Sequence, residues 1–183
     1  RSALASGATL LVISPPRNAA SMLSESPSIV TGRAVIMGGY VPLSPSDPPR
    51  AREHNFGTFK EGAIALLEAP GMRKIVLPKN VARRFPYDRP LHERLKSAWK
   101  GNPVMEVFFE AAEMMLRGRR GKAVCDLIAA AVAVDEGIAS TMEVRFAESK
   151  GEWTAFPCPG SGLSAVVRID EERMMAVLEG RRP

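Results

Sequence analysis

A chain of 183 residues, 45% hydrophobic and 25% charged, is long enough to bury a core of its own and too apolar to be a disordered segment, so one globular domain spanning 1–183 is expected. A chain of this size needs no disulfide staple, although its two cysteines leave one bridge open, and the longest apolar run, Ile128 to Val134, is bounded by Asp126 and Asp135 and is far short of the roughly 20 residues of a membrane span. The net charge of +5 admits a polyanionic partner without requiring one; Arg117-Gly118-Arg119-Arg120-Gly121-Lys122 is the candidate contact for nucleic acid, weakened by the lack of interleaved aromatics.

In chain order, Thr9 to Ile13 is an apolar run of buried-strand length, followed by Ser14-Pro15-Pro16 and a short helical pattern through Ala19, Met22 and Leu23. Ala34 to Met37 is a second such strand. It stops at Gly38-Gly39, where missing β-carbons let the backbone turn sharply or a ligand approach closely. From Tyr40 to Arg52 proline and serine dominate, which predicts an exposed loop at the carboxyl end of that strand, the place where open α/β sheets bind ligands. Phe59 to Glu68 reads as a packed helix and Lys74 to Leu77 as a third strand. Leu91 to Trp99 and Val104 to Leu116 are amphipathic helices; the second carries Met105, Phe108, Phe109, Met114 and Met115, a stripe expected in the core. Asp126 to Val134 is apolar enough to lie inside. Met142 to Ala147, Glu152 to Phe156 and Leu163 to Ile169 alternate like strands, and Asp170 is placed to cap a last helix through Leu178. Alternating strands and helices predict an α/β fold: a mainly parallel open sheet flanked by helices.

The chemistry-bearing residues are few. Asp126 opens the apolar helix and is read either as its N-cap or as a ligand-facing carboxylate. Glu53 and Asn55 could together read neighbouring hydroxyls of a vicinal diol, since a carboxylate only accepts while an amide donates and accepts; taken alone, Glu53-His54-Asn55 is more often a surface turn. His54 lies between two polar residues near that grip, whereas His92 sits on a charged helix and is expected in solvent. No metal-ligand spacing is present, Gly160-Ser161-Gly162 precedes a strand and so makes a poor phosphate cradle, and no serine-hydrolase elbow occurs. Cys125 and Cys158 need no bridge, which favours a reduced, intracellular setting, cytoplasmic or organellar; the start at Arg1 suggests processing or truncation.

The joint order of these segments resembles the C-terminal part of the inosine/uridine-preferring nucleoside hydrolase family, from about residue 8 to residue 178. Met37-Gly38-Gly39 matches the family's Met-Gly-Gly, Glu53-His54-Asn55 its Glu-Phe-Asn, and Asn80-Val81-Ala82 its Asp-Val-Thr. Cys125-Asp126-Leu127-Ile128-Ala129 stands for its His-Asp-Pro-Leu-Ala, while Ser14-Pro15-Pro16-Arg17-Asn18 keeps only the proline and asparagine of its Gly-Pro-Leu-Thr-Asn. The resemblance implies cleavage of the N-glycosidic bond of ribonucleosides. It implies that Asp126 ligates calcium and touches ribose, that Met37, Glu53 and Asn55 line the sugar, and that Cys125, with His54 near the leaving group, takes the place of a catalytic acid. Calcium is implied only if the family's N-terminal aspartates, absent from this sequence, come from a missing segment or partner chain. The alternative is an inactive family-like subunit with a structural role in a larger assembly containing nucleic acid; a homo-oligomer is open on either reading.

Overall fold

The computed structural model describes residues 7–25, 32–44, 53–118 and 121–181. Thr9–Val12 (β1), Arg33–Met37 (β2) and Arg73–Leu77 (β3) form the parallel half of a six-stranded sheet of order β1-β2-β3-β8-β6-β7. Leu163–Ile169 (β8) continues it in parallel beside β3, and Ala139–Ser149 (β6) and Glu152–Pro157 (β7) extend it antiparallel. The parallel strands read as unbroken apolar runs because helices cover both faces, and Ala34, Val35, Ile36 and Val76 have no exposed surface. The mainly parallel α/β sheet expected from the sequence is therefore observed.

The first crossover carries Arg17–Glu25 (α1), which buries Ala19 and Leu23. Two short helices were not legible in the sequence, His54–Thr58 (α2) and Lys79–Ala82 (α4). Between them Lys60–Glu68 (α3) packs on α1. Arg89–Ala98 (α5) and Pro103–Leu116 (α6) form an antiparallel pair over a smaller second core of Tyr87, Leu95, Phe109, Ala112 and Leu116. A two-residue ladder links Pro86–Tyr87 (β4) to Lys122–Ala123 (β5), and Cys125–Val134 (α7) then lies against β2. Glu171–Leu178 (α8) closes the chain, with the Asp170 carboxylate accepting from the Arg173 N–H at 3.0 Å, the cap its sequence announces.

Several expectations are corrected by packing. His92 has no exposed surface: it lies on the inner face of α5, Nδ1 3.0 Å from the Tyr87 hydroxyl and its ring edge-on to Phe109. Of the α6 stripe only Phe109 is buried, while Phe108 is 36% and Met114 69% exposed, because the helix turns only the face of Phe109, Ala112 and Leu116 to the second core. α7 buries Ile128, Ala129, Ala131 and Val132, but its end does not lie inside, since Val134 is 73% exposed. The start of the proline-rich stretch is a loop with Pro42 and Ser44 exposed, as expected, but Val41 within it is buried. Tyr40 bridges to Thr154, and the Asn80 side chain accepts from the Val41 N–H at 3.1 Å and donates to its carbonyl at 2.7 Å, as a neighbouring strand would. The rest of that stretch, residues 45–52, lies outside the described residues, as do Arg119 and Arg120 of the basic run. Cys125 and Cys158 are free thiols.

Candidate functional site

The carboxyl ends of β1, β2 and β3 open into a cavity of about 710 Å³. Ile13-Ser14-Pro15 follow β1, Met37 ends β2 and Lys79 follows β3, so the floor is built by strand ends at the place where parallel α/β sheets collect their ligands. Glu53, His54 and Asn55 form one wall; Cys125, Asp126 and Leu127 form another, and Lys122 and Phe108 stand at the rim. Residues scattered over 90 positions of sequence, Met37, Glu53, His54, Asn55, Cys125 and Asp126, therefore face one space.

The Gly38-Gly39 turn holds the first wall. A β-carbon on Gly38 would strike the Phe56 ring and one on Gly39 the Phe146 ring, and Gly39 has φ +71°. The glycines thus serve a sharp turn and close approach by aromatic rings of the protein itself. Phe56 in turn stands edge-on to Phe146 and Trp153, which fixes α2 against the sheet.

Glu53 is a buried cap. Its carboxylate accepts from the Phe56 N–H at 2.5 Å and opens α2, so the triplet is neither a surface turn nor a free acid. Burial pushes its carboxyl above the ordinary glutamate value, opposed by the N–H groups of Phe56 and Asn55 and by the charge of Lys79. Asn55 donates from Nδ2 to the Met37 carbonyl at 2.9 Å and touches its sulfur at 3.2 Å, which leaves Oδ1 without a partner among the described residues. His54 is exposed, its Nδ1 3.4 Å from the Thr58 hydroxyl.

Asp126 is not the N-cap of α7. Val124 holds that position, the helix begins at Cys125, and the Asp126 carboxylate makes no hydrogen bond or ion pair among the described residues. The surrounding walls desolvate it and raise its pKa although its outer side meets solvent. The half-buried Cys125 thiol is pushed up too, by burial and then by the Asp126 charge, with Arg83 and Lys79 pulling the other way.

Lys79 and Lys122 line the cavity and were not singled out as site residues. Lys122 had a signal in the basic run; Lys79 had none, because only the fold brings α4 beneath Glu53. Arg17 is turned elsewhere, its guanidinium 4.5 Å from the centre of the Phe59 ring. The amides of Gly160 and Gly162 donate to the Glu143 carboxylate at 2.6 and 3.3 Å, so that glycine loop is occupied by the protein's own acid.

The residues present were weighed for a cation. Calcium takes 6–8 oxygens, yet the cavity offers one carboxylate without a partner, and no three of its acidic, histidine or cysteine groups approach closely enough to share an ion among the described residues. The group of that kind that does exist, His92, Glu93 and Glu113, lies on α5 and α6, where Arg89 already pairs with Glu113.

No protein-family model and no curated protein matches the sequence. Solved structures do match the fold. An inosine-guanosine nucleoside hydrolase superposes with a TM-score of 0.71 at 17% identity, over 94% of this chain and 60% of that one. A plant nucleoside hydrolase gives 0.68 at 19% identity, over 94% and 61%, and the purine-preferring ribonucleoside hydrolase of Gardnerella vaginalis 0.67 at 18%, over 94% and 60%. The chain thus spans about three fifths of the length of these enzymes, and over that span its fold is the nucleoside hydrolase fold.

Proposed function

We propose that this nucleoside hydrolase-like chain binds the ribosyl group of a nucleoside compound in the cavity at the ends of β1, β2 and β3, and that it supplies the sugar-holding part of an N-ribosyl hydrolase. The observation that carries the reading is the convergence of Met37, Glu53, Asn55, Cys125 and Asp126 on one space, with the Asp126 carboxylate and Asn55 Oδ1 both unspent. A carboxylate accepts from a sugar hydroxyl and an amide oxygen accepts beside it, so the pair suits a diol. Asp126 also sets negative charge where an oxocarbenium-like transition state would develop positive charge. Cys125, kept protonated by burial and by Asp126, holds a proton that can pass from Sγ to a departing base. His54 stands on the same wall, exposed, as a second candidate donor.

The residues described do not assemble a calcium site, so no step is derived through one. If calcium takes part, Asp126 is the residue of this chain that would touch it, and the remaining ligands would come from a further segment or partner chain. That shortfall, together with Lys79 and Lys122 where a cationic transition state would be opposed, supports the second reading: a sugar-binding, non-hydrolysing member of a larger assembly.

The test is calorimetric titration of the chain with ribose, inosine and uridine, paired with a ribose-release assay with and without calcium. Saturable nucleoside binding that is lost in Asp126→Asn supports the site. Absence of binding, or binding indifferent to that variant, rejects it; release of ribose decides between the two readings.

A further inference from the structure

We infer that the ribosyl ligand of this cavity carries a phosphate, which Lys79 and Lys122 receive with Arg83 in support. The inference rests on the sugar-binding reading above and names the class of ligand more closely.

Lys79 is firmly placed. It opens α4 directly after β3, and its backbone N–H donates to the Gly39 carbonyl at 2.9 Å, so its side chain rises from the floor of the cavity. Its ammonium charge is felt by both walls, at Glu53 and at Cys125. Arg83, one turn on, donates its N–H to the Lys79 carbonyl at 3.0 Å and acts on Cys125 as well. Lys122 reaches the same space from β5, whose register against Tyr87 fixes its position.

None of these three cations pairs with a carboxylate among the described residues. Several cations elsewhere do have a carboxylate partner, Arg33 and Arg73 at Glu136, Lys60 at Glu148, Arg89 at Glu113, Arg94 at Glu179 and Arg173 at Asp135, whereas Lys79 and Lys122 face a shared cavity without one among the described residues. Lys79, half-buried, and Lys122, exposed, open onto one cavity, and unpaired cations that share a space repel one another unless an anion compensates them. The carboxyls at hand do not suffice, since Glu53 is committed to capping α2, and Asp126, the other carboxylate of the cavity, pairs with neither lysine and is assigned above to the sugar. A neutral nucleoside brings hydroxyls and a ring, none of which answers this charge. A phosphate monoester brings about −1.5 to −2 charges and three acceptor oxygens. The same chain therefore holds groups for the sugar, Asn55 and Asp126, and for a phosphate attached to it.

The experiment is calorimetry at fixed ionic strength with uridine and inosine, their 5′-monophosphates, ribose 5-phosphate and inorganic phosphate. The monophosphates are expected to bind at least about tenfold more tightly than the parent nucleosides, and the ratio is expected to fall toward one in Lys79→Gln/Lys122→Gln. Lys122→Glu, on an exposed strand position, should reverse the preference and guards against a folding defect in the double variant. Equal binding of nucleoside and monophosphate overturns the inference and leaves the sugar reading intact. Inorganic phosphate binding as tightly as the monophosphates, or an unchanged ratio in the lysine variants, overturns it too. Silence toward every ribosyl compound sinks the sugar reading first and this inference with it.

Discussion

At the scale of single residues, Asp126 and Gly39 show how the same side chain or turn is read differently once its neighbours are known. Asp126 follows the first residue of α7 and caps nothing, so Asp126→Asn removes only an exposed carboxylate at the cavity wall and a modest dipole interaction. Its unfolding free energy should stay within about 1 kcal/mol of the parent, while nucleoside affinity falls; a large loss in urea denaturation would show that Asp126 holds the helix after all. Gly39→Ala belongs to the other extreme. The left-handed backbone costs roughly 1–2 kcal/mol for a residue with a β-carbon, and the Phe146 ring leaves no room for one, adding about 1–3 kcal/mol of overpacking. Denaturation midpoints should drop accordingly, and an unaffected midpoint would mean that the turn can reopen. The glycine pair was legible in the sequence as a place where side chains are forbidden. What forbids them was not, because Phe56 and Phe146 come from elsewhere in the chain.

At the scale of elements, α2 depends on a buried acid. The folded state holds the Glu53 proton more tightly than the unfolded chain, so stability attached to this group is full below the ordinary glutamate value and declines as pH rises through the raised folded value. Glu53→Gln lacks that titration. Its melting temperature relative to the parent should therefore improve as pH goes from 4 to 8, and a difference that worsens with pH would mean the charged carboxylate is the favoured cap. The α5 and α6 pair has a comparable hinge of polarity. Removing the Tyr87 hydroxyl strands His92 Nδ1 in a site with no exposed surface, so Tyr87→Phe should cost about 1–3 kcal/mol in equilibrium unfolding. Little change would show that His92 turns to another partner. The sequence places His92 on a charged helix, where the expectation of solvent fails because the helix face toward Phe109 is settled by packing.

At the scale of the whole molecule, ion pairs tie distant parts of the sheet together. Arg33 at the start of β2 donates to Thr9 Oγ1 of β1 at 2.7 Å and to the Ala133 carbonyl of α7 at 2.6 Å, and it pairs with Glu136. Arg173 holds the Asp135 carboxyl below its ordinary value, Lys60 does the same for Glu148 and Arg94 for Glu179, while at Glu136 burial is outweighed by Arg33 and Arg73. Depressed carboxyl values mean stability that is present above the ordinary carboxylate range and lost as pH falls through the folded values. The melting temperature should therefore fall as pH drops below about 4, and 0.5 M salt should weaken the exposed pairs. Acid resistance equal to that at neutral pH would show that these pairs contribute nothing. Among the described residues no helix is long and apolar enough to cross a membrane.

By itself the sequence determined the α/β class, the positions of the main strands and the order of the segments that carry the chemistry. Those depend on local period, on glycine and proline, and on runs of apolar residues, all of which act between near neighbours. Only the tertiary structure decided that Glu53 is a cap, that Asn55 gives its amide protons to Met37, that Asp126 is left unspent, and that Lys79 and Lys122 share its cavity. Whether a polar group is free for a ligand depends on which distant backbone and side-chain atoms reach it first, and that is settled when strand ends far apart in the chain are brought to one edge of the sheet.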